Sequence, residues 1–83
     1  MAQMRFKKVV IPSVLSEAER VLNALVAEAA AQGYSENARF GIRLAVDEAI
    51  ANAIHHGNHG DPRRRVVIRY HIGPRTTRIC VAD

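Results

Sequence analysis

The chain has 83 residues and a mass of 9.2 kDa, a length that allows one small domain. Its single cysteine, Cys80, excludes a disulfide framework, and no stretch approaches the roughly 20 apolar residues of a membrane span. Met1 to Ile11 contains only one short apolar run, too short for a signal peptide. We therefore expect a reduced, cytoplasmic protein with no membrane partner.

The net charge of +4 is unevenly distributed along the chain. Residues 1–60 carry six Lys or Arg and six acidic residues, whereas residues 61–83 carry six Arg and two acidic residues. Such a basic region can meet nucleic acid, an acidic partner or a phosphate ligand. Because the arginines are not interleaved with a series of aromatic residues for base stacking, a solvated turn and outward strand faces are favoured over a nucleic-acid binder.

The first predicted element is a short edge strand over Arg5–Ile11, which is β-branched at its end and stops at Pro12. A helix follows, opened by Ser13 or by Ser16, whose spacing from Glu19 is that of a capping box. Its apolar stripe has helical spacing and consists of Val14, Ala18, Val21, Leu22, Leu25, Val26 and Ala29.

A second helix is predicted between two clear boundary signals. Gly33 lies where the first helix needs a C-terminal cap, and Ser35 can cap the next helix. The apolar residues of this second helix are Phe40, Ile42, Leu44, Val46, Ala49, Ile50 and Ala53. The helical pattern ends at Gly57–Pro62, a stretch dense in turn-forming residues.

After this turn the period changes to that of a strand. One face of the predicted strand Arg65–Ile72 carries Val66, Ile68, Tyr70 and Ile72. Gly73–Arg75 then forms a hairpin connection to a returning strand, Thr76–Val81, in which we expect Cys80 to be a small core side chain. This order predicts an α+β fold: a two-layer α/β sandwich with two helices packed on an antiparallel or mixed sheet.

Three polar residues follow one another at four-residue spacing along the second helix: Glu48, Asn52 and His56. At α-helical spacing they stack along one side. The carboxylate can accept a proton, and the carboxamide oxygen is a suitable ligand for Mg²⁺. As a bare spacing the pattern is common on exposed helix surfaces, so spacing alone favours a structural role.

The histidines allow a competing interpretation. His55 and His59 are four residues apart, with His56 and Asp61 nearby, and such spacing on a helix can hold Zn²⁺. Gly57 and Gly60 indicate that the helix has already ended, which favours a solvated helix end. The role of His56 is left unassigned.

A longer pattern gives the pair on the second helix a context. The run RLAVDEAIANAIHHGN, from Arg43 to Asn58, is followed by Asp-Pro, a basic cluster and a hairpin. It resembles the N-box region of the GHKL ATPase superfamily, and within it the histidine-kinase-like ATPase domains of bacterial anti-sigma factors that act as serine kinases. The matching core is E-A-x-x-N-A-x-x-H-G, which begins at Glu48. The resemblance covers essentially the whole chain.

The resemblance implies an ATP-dependent protein serine kinase that sequesters a sigma factor and phosphorylates an anti-anti-sigma protein. Glu48 corresponds to the general base and Asn52 to the ligand of the Mg²⁺ that accompanies ATP. Asp83 corresponds to the first residue of the D-x-G-x-G box, whose carboxylate accepts a hydrogen bond from the adenine amino group. The helix that carries Arg20 corresponds to the one that contributes to sigma-factor contacts and to a homodimer. For Arg20 itself, a plain exposed charge is the alternative. Asp47 is expected to be exposed or paired with Arg43.

The resemblance further implies that residues 1–83 are the N-terminal part of a single ATPase domain, ending at the first residue of the D-x-G-x-G box. The sequence lacks the glycines of that box, the lid over the phosphates and the second glycine-rich box. We therefore expect the 83 residues alone to bind ATP weakly or not at all and to be inactive. The alternative is a non-catalytic anti-sigma or adaptor module, which would have no need of Glu48 beside Asn52.

Overall fold

The computed structural model describes residues 5–83 as one sheet covered by a helical hairpin. In chain order its elements are β1 (Lys7–Pro12), α1 (Leu15–Ala31), α2 (Glu36–Asn52), a π-helical turn (Ala53–Gly57), β2 (Arg65–Ile72) and β3 (Thr77–Ala82). This order confirms the predicted α+β fold. Neither α1 nor α2 combines the length and apolar character that a membrane crossing requires, a finding limited to the described residues.

The sheet is antiparallel throughout, with β2 between β1 and β3. Ile68 of β2 pairs with Val9 on one side and with Val81 on the other. Since antiparallel neighbours share faces in register, these three side chains point towards the helices. Of the two predicted alternatives, an antiparallel or a mixed sheet, the chain adopts the first.

The core lies between α1 and the central strand. The four predicted inward side chains of β2 are at most 7% exposed: Val66, Ile68, Tyr70 and Ile72. They face a stripe of α1 that is equally buried, namely Ala18, Val21, Leu22, Leu25 and Ala29. The alternating strand is thereby confirmed, and so are five of the seven residues of the helical stripe; Val14 lies before the helix and Val26 is half-buried.

The predicted capping box at the start of α1 is wrong. The helix begins at Leu15 after Val14, which provides no side-chain cap, and Ser16 lies inside the first turn. Ser13 is not a cap either, because its hydroxyl donates to the carbonyl of Arg64 at 2.9 Å. The serine that precedes the helix therefore joins the end of β1 to the start of β2. Pro12 is the last residue of β1, which tolerates it because β1 is an edge strand.

The connection between the helices follows the predicted boundary signals. Gly33 has φ of +88°, and the next N–H, that of Tyr34, donates to the carbonyl of Ala29 at 3.0 Å. This is the Schellman arrangement that favours glycine after a helix. Ser35 then caps α2, with its hydroxyl accepting from the N–H of Ala38 at 3.1 Å.

The prediction for Cys80 is wrong. β3 alternates between half-buried and exposed residues, and Cys80 lies on the exposed side. The pairing of Cys80 with Arg69 fixes this orientation, because Arg69 points away from the helices. The inward residues of β3 are instead Ile79 and Val81.

Candidate functional site

Glu48 and Asn52 lie one turn apart in the last part of α2, about 6 Å apart along the helix axis. Both residues are exposed. Within residues 5–83 neither side chain forms a hydrogen bond or an ion pair. A carboxylate and an amide oxygen are therefore presented to solvent side by side, available to a ligand.

The helix widens directly after Asn52. Ala53–Gly57 is a π-helical turn, and the N–H of Asn58 donates to the carbonyl of Ala53, five residues earlier, at 2.9 Å. The α-helical spacing assumed for the row of three polar residues holds for Glu48 and Asn52 but not for His56, which lies in this turn. Irregular π segments inside helices are frequent at functional sites.

A buried asparagine fixes the end of this helix, and sequence reasoning missed it. Asn58 is 4% exposed, and its amide nitrogen donates to the hydroxyl of Ser13 at 2.8 Å and to the carbonyl of Arg65 at 3.0 Å. The end of α2 is thereby tied to both the β1–α1 junction and the start of β2. In the sequence, Asn58 reads only as one turn-forming residue among several, because the partner hydroxyl is 45 residues away.

Asp83 lies against the end of the same helix. Its carboxylate occupies the space that a Cβ on Gly57 would take, so the close approach requires glycine at that position. Asp83 itself is exposed. The structure thus brings the residue after β3 to the turn that follows Asn52.

The chemistry of these side chains fits a magnesium-nucleotide ligand. Amide oxygens are suitable ligands for Mg²⁺, and Asn52 supplies one. The carboxylates of Glu48 and Asp83 can accept a proton or a hydrogen bond, and none of the three side chains has a competing partner among residues 5–83. The zinc geometry considered for His55 and His59 is not assembled. The described part of the chain contains no group of three His, Cys, Asp or Glu side chains placed to hold a metal ion.

The turn between the π-helical segment and β2 is held by a local ion pair. Asp61 accepts hydrogen bonds from the N–H and the guanidinium of Arg63, at 2.9 to 3.1 Å. These bonds lower the pKa of the Asp61 carboxyl from its ordinary value. The Asp61 carboxylate therefore stabilises the turn and is not one of the site residues with Glu48 and Asn52.

A groove between α2 and β3 lies beside this site. It has a volume of about 590 Å³. It is lined by α2 and β3 through Ala38, Gly41, Ile42, Ala45, Val46, Ala49, Thr77, Ile79 and Val81. Glu48, Asn52 and Asp83 do not line it. The groove is therefore an apolar surface next to the polar residues and not their binding pocket.

Two charged residues on the helices have partners other than those considered from the sequence. The guanidinium of Arg43 donates to Asn23 at 2.9 Å and pairs with Glu19, so it joins α2 to α1, and Asp47 is simply exposed. Arg20 is exposed and pairs with Glu17 at 3.1 Å within α1.

The architecture and the site together define a class. Two helices on one face of an antiparallel sheet, with an acid–amide pair on the second helix, are typical of α+β domains of the GHKL ATPase type. A family model described as histidine kinase-like ATPase domain matches residues 11–83, and the chain belongs to this family. Its membership makes it an ATP-binding, kinase-like domain. No curated protein matches the chain.

Proposed function

We propose that the chain is the N-terminal part of the ATP-binding domain of an anti-sigma serine kinase. Such a protein would sequester a sigma factor and phosphorylate an anti-anti-sigma protein. The observation that carries the proposal is the pair formed by Glu48 and Asn52. In a chain of the histidine kinase-like ATPase family, these two side chains lie one turn apart, exposed and without partners among residues 5–83.

Each of the three site residues has a distinct proposed role. The amide oxygen of Asn52 would hold Mg²⁺, which when bound neutralises charge on the ATP phosphates. The Glu48 carboxylate would accept the proton of the attacking serine hydroxyl. The serine oxygen then bonds to the γ-phosphorus as the bond from that phosphorus to the bridging oxygen of ADP breaks. Asp83 would accept a hydrogen bond from the adenine amino group.

The fixed end of α2 supports these roles. A catalytic pair needs side chains on a rigid element, held to within a fraction of an ångström by surrounding contacts. Asn58 provides such contacts six residues after Asn52, through its hydrogen bonds to Ser13 and Arg65. Gly57 leaves the space in which Asp83 reaches the same end of the helix.

We also propose that the groove between α2 and β3 is covered by further strands and a helix of the same domain. Its lining supports this proposal, because Ile79 and Val81 of β3 are only half-buried, while Val66 and Ile68 of β2 are fully buried. Small apolar side chains on the α2 wall, such as Ala45, suit close packing against additional polypeptide.

The experiment is phosphoryl transfer from radiolabelled ATP to the partner's serine, in the protein that contains this domain. Glu48→Ala should lower the transfer rate at least about 100-fold, the contribution expected of a general base, while leaving nucleotide binding intact. Asn52→Ala should weaken Mg-ATP binding itself.

A third variant serves as the control for this assay. Asn37→Ala removes an exposed asparagine from the first turn of the same helix and should change neither quantity. Parental transfer rates in both Glu48→Ala and Asn52→Ala would show that the assignment of the site is wrong.

A second candidate function, the non-catalytic docking module, is favoured by one observation. Phe40 and Leu44 are 66% and 59% exposed and lie one turn apart on α2, which gives the helix an apolar ridge suited to a partner protein. Two results together would establish this alternative. The unsubstituted protein that contains this domain would bind its partner without transferring phosphate, and Phe40→Ser would abolish the binding.

A further inference from the structure

The face of the sheet that points away from the helices carries a cluster of cations, which we call the outer face. Its basic residues come from all three strands and are exposed: Lys8, Arg65, Arg69 and Arg78. Between them lie the apolar or small side chains of Val10, Cys80 and Ala82. The strand register therefore gathers the charge that the sequence spreads over 71 positions, from residue 8 to residue 78.

The register also places these cations close together. Lys8 and Arg69 are directly paired, with Cα atoms about 5 Å apart. Arg78 pairs with His71, so it lies diagonally across from Arg69 at about 7 to 8 Å. Arg65 lies four residues before Arg69 on the same strand, about 13 Å away.

The fold does not balance this charge. β1, β2 and β3 contain no Asp or Glu, and none of the outer-face cations forms an ion pair within residues 5–83. Cations elsewhere do: Lys7 pairs with Glu28 and Arg63 with Asp61. Like charges directly opposite one another destabilise a sheet, so folding gains nothing from Lys8 facing Arg69.

We propose that the outer face is a docking surface for an acidic segment of a partner protein. Arginine forks bind carboxylates through two parallel hydrogen bonds, and arginine is enriched in protein interfaces. Val10, 41% exposed, adds apolar contact between the cations, as a protein interface requires. A single-stranded nucleic acid stacks successive bases on several aromatic rings, whereas among residues 5–83 the aromatic ring beside the outer face is that of Phe6, 44% exposed and 6.2 Å from the ring of His71.

The test uses the 83-residue chain and a fluorescent deca-glutamate peptide at low ionic strength, with deca-glutamine and decathymidylate as comparison probes. Arg69→Glu should lower the affinity for deca-glutamate at least about tenfold, because it removes a cation and adds a repulsion at the centre of the surface. Arg75→Glu is the matched control: it makes the same change in net charge in the exposed hairpin and should alter the affinity less than about twofold.

Three outcomes of the binding assay would overturn the proposal. The first is an equal loss in Arg69→Glu and Arg75→Glu, which would mean that net charge alone is sensed. The second is no binding of deca-glutamate, and the third is tighter binding of decathymidylate that depends on Arg69. A thermal melt of Lys8→Gln gives an independent check, since relief of repulsion should leave the melting temperature equal or higher. A clear fall would assign the cation to the fold and contradict a docking role.

Discussion

The two long helices have equal length and different tasks. Of its 17 residues, α1 buries five against the sheet, including Leu22 and Leu25. α2, also of 17 residues, buries only Val46 and Ile50 and exposes its acid–amide pair to solvent. Other apolar side chains of α2, such as Ile42, line the groove beside β3. α1 therefore holds the core together, whereas α2 leaves both an apolar wall and the acid–amide pair accessible.

The largest expected effect is the difference in stability between two Leu→Ala variants, one on each helix. Leu25 of α1 is 1% exposed, so Leu25→Ala should lower the free energy of unfolding by about 3 kcal/mol through lost burial and a residual cavity. Leu44 of α2 is 59% exposed, so Leu44→Ala should change it by less than about 0.5 kcal/mol. Urea unfolding followed by circular dichroism measures both, and equal losses would break the contrast.

The next effect concerns the two ends of α2. Asn58→Ala removes the donor that joins Ser13 to the carbonyl of Arg65 in a buried position, and should cost about 2 kcal/mol of unfolding free energy. Asn37→Ala at the exposed start of the helix is the matched control and should stay within about 0.5 kcal/mol. Equal midpoints of urea unfolding for the two variants would show that the hydrogen bonds of Asn58 do not stabilise the end of α2.

The smallest expected effect is that of replacing a glycine by alanine, which should change stability in opposite directions at Gly33 and Gly41. Gly33 has φ of +88°, which is unfavourable for a residue with a side chain, so Gly33→Ala should lower the free energy of unfolding by about 1 kcal/mol. Gly41 lies inside α2 with open space around the added methyl group, and Gly41→Ala should gain up to about 1 kcal/mol from helix propensity. Thermal unfolding of both variants checks the signs, and a loss at Gly41 would show that its surroundings are not open.

Sequence patterns predicted the features that local chemistry decides. The stripe on α1, the alternation of β2, Gly33 and Ser35 all depend on residues within a few positions of one another. Cys80 was misplaced because Ile79, Cys80, Val81 and Ala82 are all apolar or small, which hides the alternation. The exposed Arg78, two residues earlier, marks the outward face on which the pairing with β2 places Cys80. The pairing of Ser13 with Arg64 likewise depends on a distant partner, so the capping signal at Ser16 misled.

The candidate site divides in the same way. Spacing alone favoured a structural role for Glu48 and Asn52, and the resemblance identified them as site residues. Their exposure depends only on which face of α2 they occupy. The widening of the helix at Ala53–Gly57 and the approach of Asp83 to Gly57 are tertiary features without a local signal. The hydrogen bonds of Asn58 to Ser13 and Arg65 are tertiary features too, because they join three segments that are distant in the sequence or separated by a turn.

The most direct test of α2 as the ligand-presenting helix is paramagnetic line broadening by Mn²⁺ and ATP in the 83-residue chain. Mn²⁺ takes the same oxygen ligands as Mg²⁺. The effect reports even the weak ATP binding that is the most we expect of residues 1–83 alone. Amide signals around Asn52 and Gly57 should broaden first, and those in the middle of α1 should remain sharp. Asn52→Ala should abolish the broadening and Asn37→Ala should preserve it. Broadening that persists in Asn52→Ala, or that centres on α1, would contradict the assignment of the site to α2.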